Sequence, residues 1–93
     1  MYATVRNYAG VEGIADALVE HEDEVKRLIT AIDGFQAYYL IKTSDGAISI
    51  SVYDDQSGAE ESTRQAGAWV RENLPDLATS SPQVSVGEVV IQA

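Results

Sequence analysis

Hydrophobic residues recur along the chain with two different periods, and these periods predict an order of strands and helices. Alternation from Tyr2 to Tyr8 indicates a first strand. From Ile14 to Ile32 apolar residues return at helical spacing while charged residues fill the opposite side, which predicts an amphipathic helix of about 20 residues. The helix should end at Asp33-Gly34, because glycine readily adopts the left-handed conformation that closes a helix.

A hairpin and a second helix are predicted next. Residues 35–42 and 47–53 are rich in branched and aromatic side chains, and the short turn-forming segment 43–46 between them indicates a β-hairpin. Ser57–Glu60 has the S-x-x-E spacing of a capping box, in which the hydroxyl and the carboxylate each bond a free backbone amide. The second helix should therefore begin there. It should end at Pro75, since the residue before a proline is pushed away from helical geometry.

The last apolar run completes the predicted topology. A loop through Ser80, Ser81 and Pro82 leads to a strand over residues 84–91. The order strand, helix, strand, strand, helix, strand folds through short connections into a four-stranded antiparallel sheet with both helices on one face. This is the ferredoxin-like α+β plan, and residues 1–93 are expected to form a single domain.

Apolar side chains occupy both faces of the predicted sheet. On the second strand Phe35, Tyr39 and Ile41 fall on one face while Tyr38 and Leu40 fall on the other. The last strand likewise carries apolar residues on both of its faces. Two helices cover only one face, and an uncovered apolar face exceeds the patch that soluble monomers tolerate. A second copy of the sheet is the simplest cover, so we expect a homodimer.

Composition and charge narrow the classes of partner. The 93 residues include 15 acidic and 6 basic side chains, a formal net charge of -9 that opposes binding to nucleic acid or to an anionic membrane. Cysteine is absent, which excludes a disulfide. No apolar run approaches the roughly 18 to 20 residues of a membrane span. The N-terminus lacks the basic and apolar regions of a signal peptide, so a cytoplasmic protein is expected.

Several local features occur together in this chain: Arg6-Asn7-Tyr8 ends the first strand, Ile32–Gln36 closes the first helix, Val52–Asp55 ends the hairpin, and Trp69 lies on the second helix. In this combination the chain resembles the dimeric α+β barrel superfamily and, within it, the antibiotic biosynthesis monooxygenase-like domains. The resemblance implies two sheets packed back to back as a barrel, with a cavity in each subunit between sheet and helices. Known members include cofactor-free monooxygenases acting on aromatic polyketides, heme-degrading monooxygenases and small-molecule isomerases.

The resemblance also implies where a substrate would bind. In the heme-degrading and polyketide-oxidising relatives an asparagine and a tryptophan line the substrate cavity, and Asn7 and Trp69 are the corresponding candidates. Asn7 shares its strand face with Ala3 and Val5 and is expected to point toward the helices, where a polar amide needs a partner. The structural alternatives are that Asn7 caps a loop and that Trp69 belongs to the core.

Tyrosines and arginines supply the remaining candidates. Tyr38, Tyr39 and Tyr53 lie on central strands, where a ring can line a pocket and offer its hydroxyl to a ligand. Of these, Tyr38 or Tyr53 is the candidate proton relay. Arg6, Tyr8 and Arg64 are candidates for orienting a carboxylate or a phenolate, although the strand face that carries Arg6 and Tyr8 is expected to lie in the contact between subunits.

Heme, metal and other cofactors are not expected. The heme-degrading relatives supply an axial histidine near the end of the second helix, and residues 73–82 contain none. The only histidine, His21, lies within the acidic stretch Glu20–Glu24, which could hold a metal ion but is ordinarily a solvated helix face. The acidic pair at positions 54–55 is interpreted as a cap of the following helix rather than as a catalytic acid and base.

Two functions from different classes fit these residues. In the first, the protein is a cofactor-independent monooxygenase that oxidises a small aromatic or polyketide-like substrate with molecular oxygen. Asn7 then stabilises the oxyanion, Trp69 packs on the substrate ring, and Tyr38 or Tyr53 relays the proton. In the second, the protein is a non-catalytic homodimer that binds a small molecule or a partner, with the pocket filled by Trp69 and the tyrosines.

Overall fold

The computed structural model describes residues 1–78 and 81–93, so Ser80 of the predicted loop lies outside the described residues. The strands are β1 (Tyr2–Asn7), β2 (Phe35–Lys42), β3 (Ala47–Tyr53) and β4 (Gln83–Glu88). The helices are α1 (Ile14–Glu20), α2 (Glu22–Thr30) and α3 (Gln56–Asn73), and a 3₁₀ turn follows at Pro75–Leu77. Among the helices described, none is both long and apolar enough to cross a membrane.

All four strands form one antiparallel sheet in the order β2-β3-β1-β4. The helices pack on one face of it. The Tyr53 hydroxyl on that face donates to the backbone carbonyl of Ile29 in α2, and the Arg6 side chain on the same face donates to Ser62 in α3. The predicted ferredoxin-like α+β fold is therefore confirmed.

The first predicted helix is divided into two in the structure. His21 leaves helical geometry at φ -110° and ψ 30° and separates α1 from α2. Its amide still donates to the Leu18 carbonyl at 3.1 Å, and its own carbonyl accepts from the Val25 amide at 3.0 Å. The acidic residues after His21 fill the first turn of α2, where the positive end of the helix dipole favours negative charge. The acidic run thus marks a second helix start, which the single-helix prediction missed.

The third helix begins at a different cap from the one predicted. Its N-cap is Asp55, whose carboxylate accepts from the Ser57 hydroxyl at 2.8 Å and from the Gly58 amide at 3.2 Å. These bonds, the one from the hydroxyl first, hold the pKa of Asp55 below its ordinary value. The prediction that the acidic pair caps the helix is confirmed for Asp55. The prediction of a capping box at Ser57 was wrong, because the Asp55 carboxylate, two residues earlier, already accepts a hydrogen bond from the free amide of Gly58.

A bulge in β2 changes which residues face the helices. The register of β2 against β3 shifts between Phe35 and Ala37, so Phe35 and Tyr38 share a face although they are three positions apart. Phe35 packs edge-on against Tyr53 in the core, with ring centroids 5.9 Å apart. The prediction that Phe35 shares a face with Tyr39 was wrong, because strict alternation takes no account of the extra residue in a bulge.

The hydrophobic core lies between the sheet and the helices, and the helices contribute most of it. Its buried members on or next to α1 and α2 are Ile14, Ala15, Leu18, Val25, Ile29 and Ile32. From the strands, the loop after β1 and α3 it takes Tyr8, Ala47, Tyr53 and Ala59. The remaining buried positions on the inner face of the sheet are largely polar, and these form the candidate site.

Candidate functional site

The sheet turns its polar face toward the helices. Thr4 and Arg6 of β1 pair with Ser51 and Ser49 of β3, and all four residues are buried. Residues paired across antiparallel strands share a face. Because Arg6 also reaches Ser62 of α3, this polar face is the inner one.

Asn7 consequently lies on the opposite face. Side chains alternate along a strand, so Asn7, paired with Ile48, points away from α3. The predictions that Asn7 faces the helices beside Trp69 and that Arg6 lies in a subunit contact were therefore wrong. The physical reason is that the interior supplies hydroxyl partners for Arg6, which reduces the cost of burying the polar face.

Arg6 is the centre of this interior and is only 1% exposed. Its Nε donates to the Ser49 hydroxyl at 2.9 Å and its Nη2 to the Ser51 hydroxyl at 2.8 Å. Its Nη1 donates to the hydroxyls of Ser62 and Thr63, each at 3.2 Å. Within residues 1–78 and 81–93 these partners are all neutral, and Arg6 takes part in no salt bridge.

A buried cation without a counter-ion has a cost and a consequence. Arginine stays protonated in proteins, and moving its charge out of water costs several kcal/mol unless partners compensate. The hydroxyl dipoles around Arg6 offset part of this cost but leave the positive charge in place. The site therefore favours an anion, or a group that can become one, more strongly than a surface arginine would.

A small cavity, called here the inner cavity, lies against Arg6 between the sheet and the helices. Its volume of about 20 Å³ has room for about one water molecule. Arg6, Tyr8, Tyr38 and Trp69 form part of its wall, which is completed by Leu18, Val25, Leu28, Ile29, Ser49, Ala66 and Val70. Of the residues predicted for the site, Tyr38 and Trp69 are brought together here, and Arg6 takes the position expected for Asn7.

Trp69 also contacts α2 and His21, the residue that separates α1 from α2. Its indole Nε1 donates to Oε2 of Glu24 at 3.3 Å. The His21 ring meets the indole edge-on, with ring centroids 5.3 Å apart. Trp69 also packs against the core cluster. It is therefore at once a core side chain and a restrained wall of the inner cavity.

Tyr8 and Tyr38 can act as hydrogen-bond donors in the inner cavity. Burial raises the pKa of both phenols, and the nearby charge of Arg6 lowers it by a smaller amount. Both side chains are therefore neutral at neutral pH, where each can donate to an anion but is a poor proton acceptor. This favours a role for Tyr38 in orienting a ligand over the predicted role in relaying a proton.

Three other residues predicted for the site are found elsewhere. Tyr53 is fully buried, and its hydroxyl donates to the Ile29 carbonyl at 2.8 Å, which ties β3 to α2. Tyr39 is 60% exposed on the outer face of the sheet. Arg64 is exposed on α3 and pairs with Glu61 one helical turn away. None of the three lines the inner cavity.

The acidic stretch around His21 faces solvent. Its four acidic side chains, within Glu20–Glu24, are exposed, and Glu22 pairs with Lys26 at 2.6 Å. In the part of the chain that the structure describes, no group of three or more His, Cys, Asp or Glu side chains is arranged to hold a metal ion.

Sequence reasoning assigned Arg6 to the contact between subunits and missed its hydroxyl partners, although β3 carries a signal. Ser49 and Ser51 alternate there with Ile48 and Ile50, so the strand has one polar and one strongly apolar face. Hydrophobicity alone assigns the apolar face to the interior. The serines are a signal for the reverse arrangement, since a buried arginine needs acceptors at that spacing.

Several solved structures share the fold. A protein of unknown function from Nitrosomonas europaea, NE2512, has a TM-score of 0.71 at 21% identity, over 99% of this chain and 90% of its own. A candidate antibiotic biosynthesis monooxygenase from the same organism gives 0.71 at 14% identity, over 98% and 100%. A Streptomyces coelicolor monooxygenase in complex with nanaomycin D gives 0.60 at 18% identity, over 98% and 91%. No family model and no curated protein matches the chain. The resemblance to antibiotic biosynthesis monooxygenase-like domains is thus confirmed at the level of the fold.

Proposed function

We propose that the protein is a cofactor-independent monooxygenase that binds a small phenol or enol as its anion at Arg6 and oxidises it with molecular oxygen. The observation that carries this proposal is the buried guanidinium of Arg6, whose partners among the described residues are all neutral hydroxyls. Tyr38 and Trp69 supply aromatic walls beside it for the ligand ring.

Arg6 would act on the acidity of the ligand. In a site that excludes water, a neighbouring cation favours the ionised form of a phenol or enol and lowers its pKa. The ligand proton leaves to solvent, and the neutral hydroxyls of Tyr8 and Tyr38 donate to the oxyanion that remains. The ionised ligand is electron-rich, which is the property that reaction with oxygen requires.

The oxidation uses the electrons of the ligand itself. The anion of an anthrone-like substrate transfers one electron to O₂, and the two radicals combine into a peroxide at the ring carbon. Loss of water from this peroxide leaves a carbonyl group. The peroxide takes up a proton from solvent in place of the one lost on ionisation. One oxygen atom of O₂ stays in the quinone product, and the other leaves as water with this proton and the remaining hydrogen of the original methylene carbon. The protein's part is to hold the anion away from competing solvent reactions.

Solved structures with the same fold support this direction. One is a candidate antibiotic biosynthesis monooxygenase, and another is a monooxygenase in complex with nanaomycin D. Their identities to this chain are 14% and 18%, so the substrate has to be inferred from the residues of this chain's own cavity.

Oxygen uptake with anthrone as substrate tests the proposal. The wild-type protein should consume oxygen when anthrone is added, and Arg6→Met should lower the turnover by about 10²–10³-fold, the usual effect of removing one oxyanion donor. Arg27→Met, which changes an exposed arginine of α2, is the matched control and should keep wild-type turnover. Arg6→Lys, which keeps a positive charge, is measured alongside in case Arg6→Met fails to fold.

Two results would count against this function. Equal turnover by folded Arg6→Met and wild type would show that the charge is not used. Absence of anthrone-dependent oxygen uptake by the wild type, under conditions in which a phenolate binds at Arg6, would contradict the oxidation itself.

A non-catalytic binding function is the second candidate, and the lining of the inner cavity favours it. Among the described residues that line the cavity none is an Asp, Glu or His, the side chains that most often accept a proton from a substrate, whereas binding of an anion needs only the donors present. A binding module would quench the fluorescence of Trp69, the only tryptophan, when a nitrophenolate is added. Quenching that depends on Arg6, without oxygen uptake, would identify this function.

We also propose that the outer face of the sheet pairs with a second copy of the chain. This outer face consists of Ala3, Val5, Asn7, Ala37, Tyr39, Ile41, Ile48, Ile50, Val52, Gln83, Ser85 and Gly87. None of these residues is acidic or basic, although the chain has a net charge of -9. Two copies can therefore bury apolar surface against each other without placing like charges in contact.

Light scattering at micromolar concentration tests the pairing. The wild type should have twice the 10.0 kDa mass of one chain. Tyr39→Lys places a charge on the outer face and should give a single chain, whereas Val19→Lys, at an exposed apolar residue of α1, should remain a dimer. A wild-type mass of one chain would refute the pairing and leave the apolar outer face without this explanation.

A further inference from the structure

The inner cavity shares a wall with a larger space at the surface. This outer groove has a volume of about 250 Å³ and is lined by Leu18, Val19, Glu22, Val25, Lys26, Tyr38 and Leu40. Leu18, Val25 and Tyr38 line both the groove and the inner cavity. Tyr38 has the largest side chain of these three residues.

The two spaces differ in size in a way that bears on the ligand. The inner cavity holds about one water molecule, whereas pockets for small molecules usually have roughly 300 to 1,000 Å³. The outer groove supplies most of the missing volume. A ligand that reaches Arg6 therefore has to displace a side chain, and displacement of Tyr38 joins the two spaces into one pocket near the lower end of that range.

The alternative way in, past Trp69, is more restrained. The indole is hydrogen-bonded to Glu24 and packed edge-on against His21, so its movement breaks both contacts. Movement of Tyr38 breaks no comparable contact. Leu18 and Val25 line both spaces, so the ring has apolar neighbours before and after it moves.

The two spaces also differ in chemistry. The inner cavity ends in the cationic group of Arg6 and the hydroxyl of Ser49. The outer groove is walled by apolar side chains such as Leu18 and Leu40, and its charged groups, Lys26 and Glu22, are exposed and pair with each other. A ligand that fills both spaces has an acidic end and an apolar end.

We propose that the ligand is an elongated phenol or enol whose acidic ring lies at Arg6 and whose apolar substituent lies in the outer groove, with Tyr38 as the movable partition. This rests on the proposed function in one respect, which is the use of Arg6 as the anion site. The groove favours a ligand with a long apolar substituent. When a single-ring ligand is bound, the apolar surface of the groove stays in contact with water.

A series of 4-alkyl-2-nitrophenols, from methyl to butyl, tests this proposal. The phenolate form absorbs visible light, so ionisation at Arg6 appears as an increase in its absorbance. Occupation of the inner cavity appears as quenching of Trp69. The affinity of the wild type should rise by about fourfold for each added methylene, the usual gain when a CH₂ group leaves water.

Leu40→Gln makes one wall of the groove polar and should remove most of this gain, while the affinity for the methyl compound stays close to that of the wild type. Ile91→Gln changes an exposed apolar residue that lines neither the groove nor the inner cavity, and should keep the gain. If Leu40→Gln does not fold, Val19→Gln makes the same test at an exposed groove residue.

The partition has its own test in stopped-flow association of the butyl compound. Tyr38→Ala should bind it faster than the wild type, because no ring has to move, and Tyr38→Phe should bind it at the wild-type rate. Equal rates for Tyr38→Ala and the wild type would overturn the role of Tyr38 as a movable partition.

The results separate this proposal from the proposed function. No gain with chain length, or an undiminished gain in folded Leu40→Gln or Val19→Gln, would overturn the groove assignment, while an Arg6-dependent absorbance change would leave the anion site standing. Failure of every compound to change either signal would overturn both.

Discussion

The bond between Arg6 and Ser51 offers the sharpest test of the buried cation. Ser51→Ala removes the acceptor that lies 2.8 Å from Nη2 of Arg6, at a position with 0% exposure. The charged N–H group is then left without its partner in the buried interior. Hydrogen bonds to charged groups contribute about 1.5–3 kcal/mol, so the free energy of unfolding should fall by about 2 kcal/mol.

A double-mutant cycle isolates the interaction from the effect of removing a hydroxyl. In an Arg6→Met background the Ser51 hydroxyl has already lost its donor, so Ser51→Ala should cost little there. The coupling energy between the two positions should therefore be about 2 kcal/mol. Ser44→Ala, in the exposed hairpin turn, is the control and should change stability by less than about 0.5 kcal/mol in either background.

Urea unfolding followed by circular dichroism gives the four free energies of the cycle, all at one protein concentration because self-association would shift them. In thermal unfolding, Ser51→Ala should lower Tm by about 10 °C for a domain of this size. Additive effects of Arg6→Met and Ser51→Ala would refute the reasoning, since they would mean that the hydroxyl does not stabilise the buried charge.

Three further predictions concern α3. Asp55 contributes stability above the ordinary carboxyl pKa of 3.8, and this contribution should be lost as the pH falls through its lowered folded-state pKa. Asp55→Asn still caps the helix but does not titrate, so it should flatten that part of the dependence of stability on pH. Gly58→Ala should cost about 1–3 kcal/mol, because its Cβ would lie 2.9 Å from Cβ of Tyr53. Gly67→Ala should instead stabilise by about 0.5–1 kcal/mol, because its Cβ would meet only the mobile end of Arg71, at 3.3 Å.

Each of these has a clear contrary result in the same unfolding measurements. An acid profile of Asp55→Asn that matches the wild type as the pH falls below 3.8 would show that Asp55 does not contribute to the acid dependence. Equal effects of alanine at Gly58 and Gly67 would show that the contact with Tyr53 relaxes freely, so that helix propensity alone decides both.

Local signals in the chain were sufficient for the order of elements. The alternation in β1 and the helical spacing from Ile14 to Ile32 are patterns of residues within a few positions of each other, and the corresponding elements are present. The errors arose where two local signals compete, as at His21, where an acidic run that suits a helix face suits a helix start equally well. At the N-terminus of α3 the competition was between Asp55 and Ser57, and the earlier carboxylate is the cap.

The candidate site could be predicted only in part. Trp69, on the predicted helix stripe, and Tyr38, on a predicted strand, were both proposed for the site and both line the inner cavity. Arg6 was assigned to the wrong surface because its environment comes from other elements: serines of β3, and Ser62 and Thr63 of α3. The position of each hydroxyl along the chain does not indicate that it contacts Arg6. Only the fold brings the four hydroxyls to one guanidinium.

The sequence by itself determined that β1 and β3 each have one polar and one apolar face, since alternation is a property of the extended backbone. Only the tertiary structure decided which face is buried. The packing of α3 brings Ser62 and Thr63 over Arg6, and their hydroxyls make burial of the charge tolerable, so the apolar residues of β3 turn outward. The choice between faces is a balance between desolvation and hydrogen bonding, and that balance depends on partners up to 57 residues away along the chain.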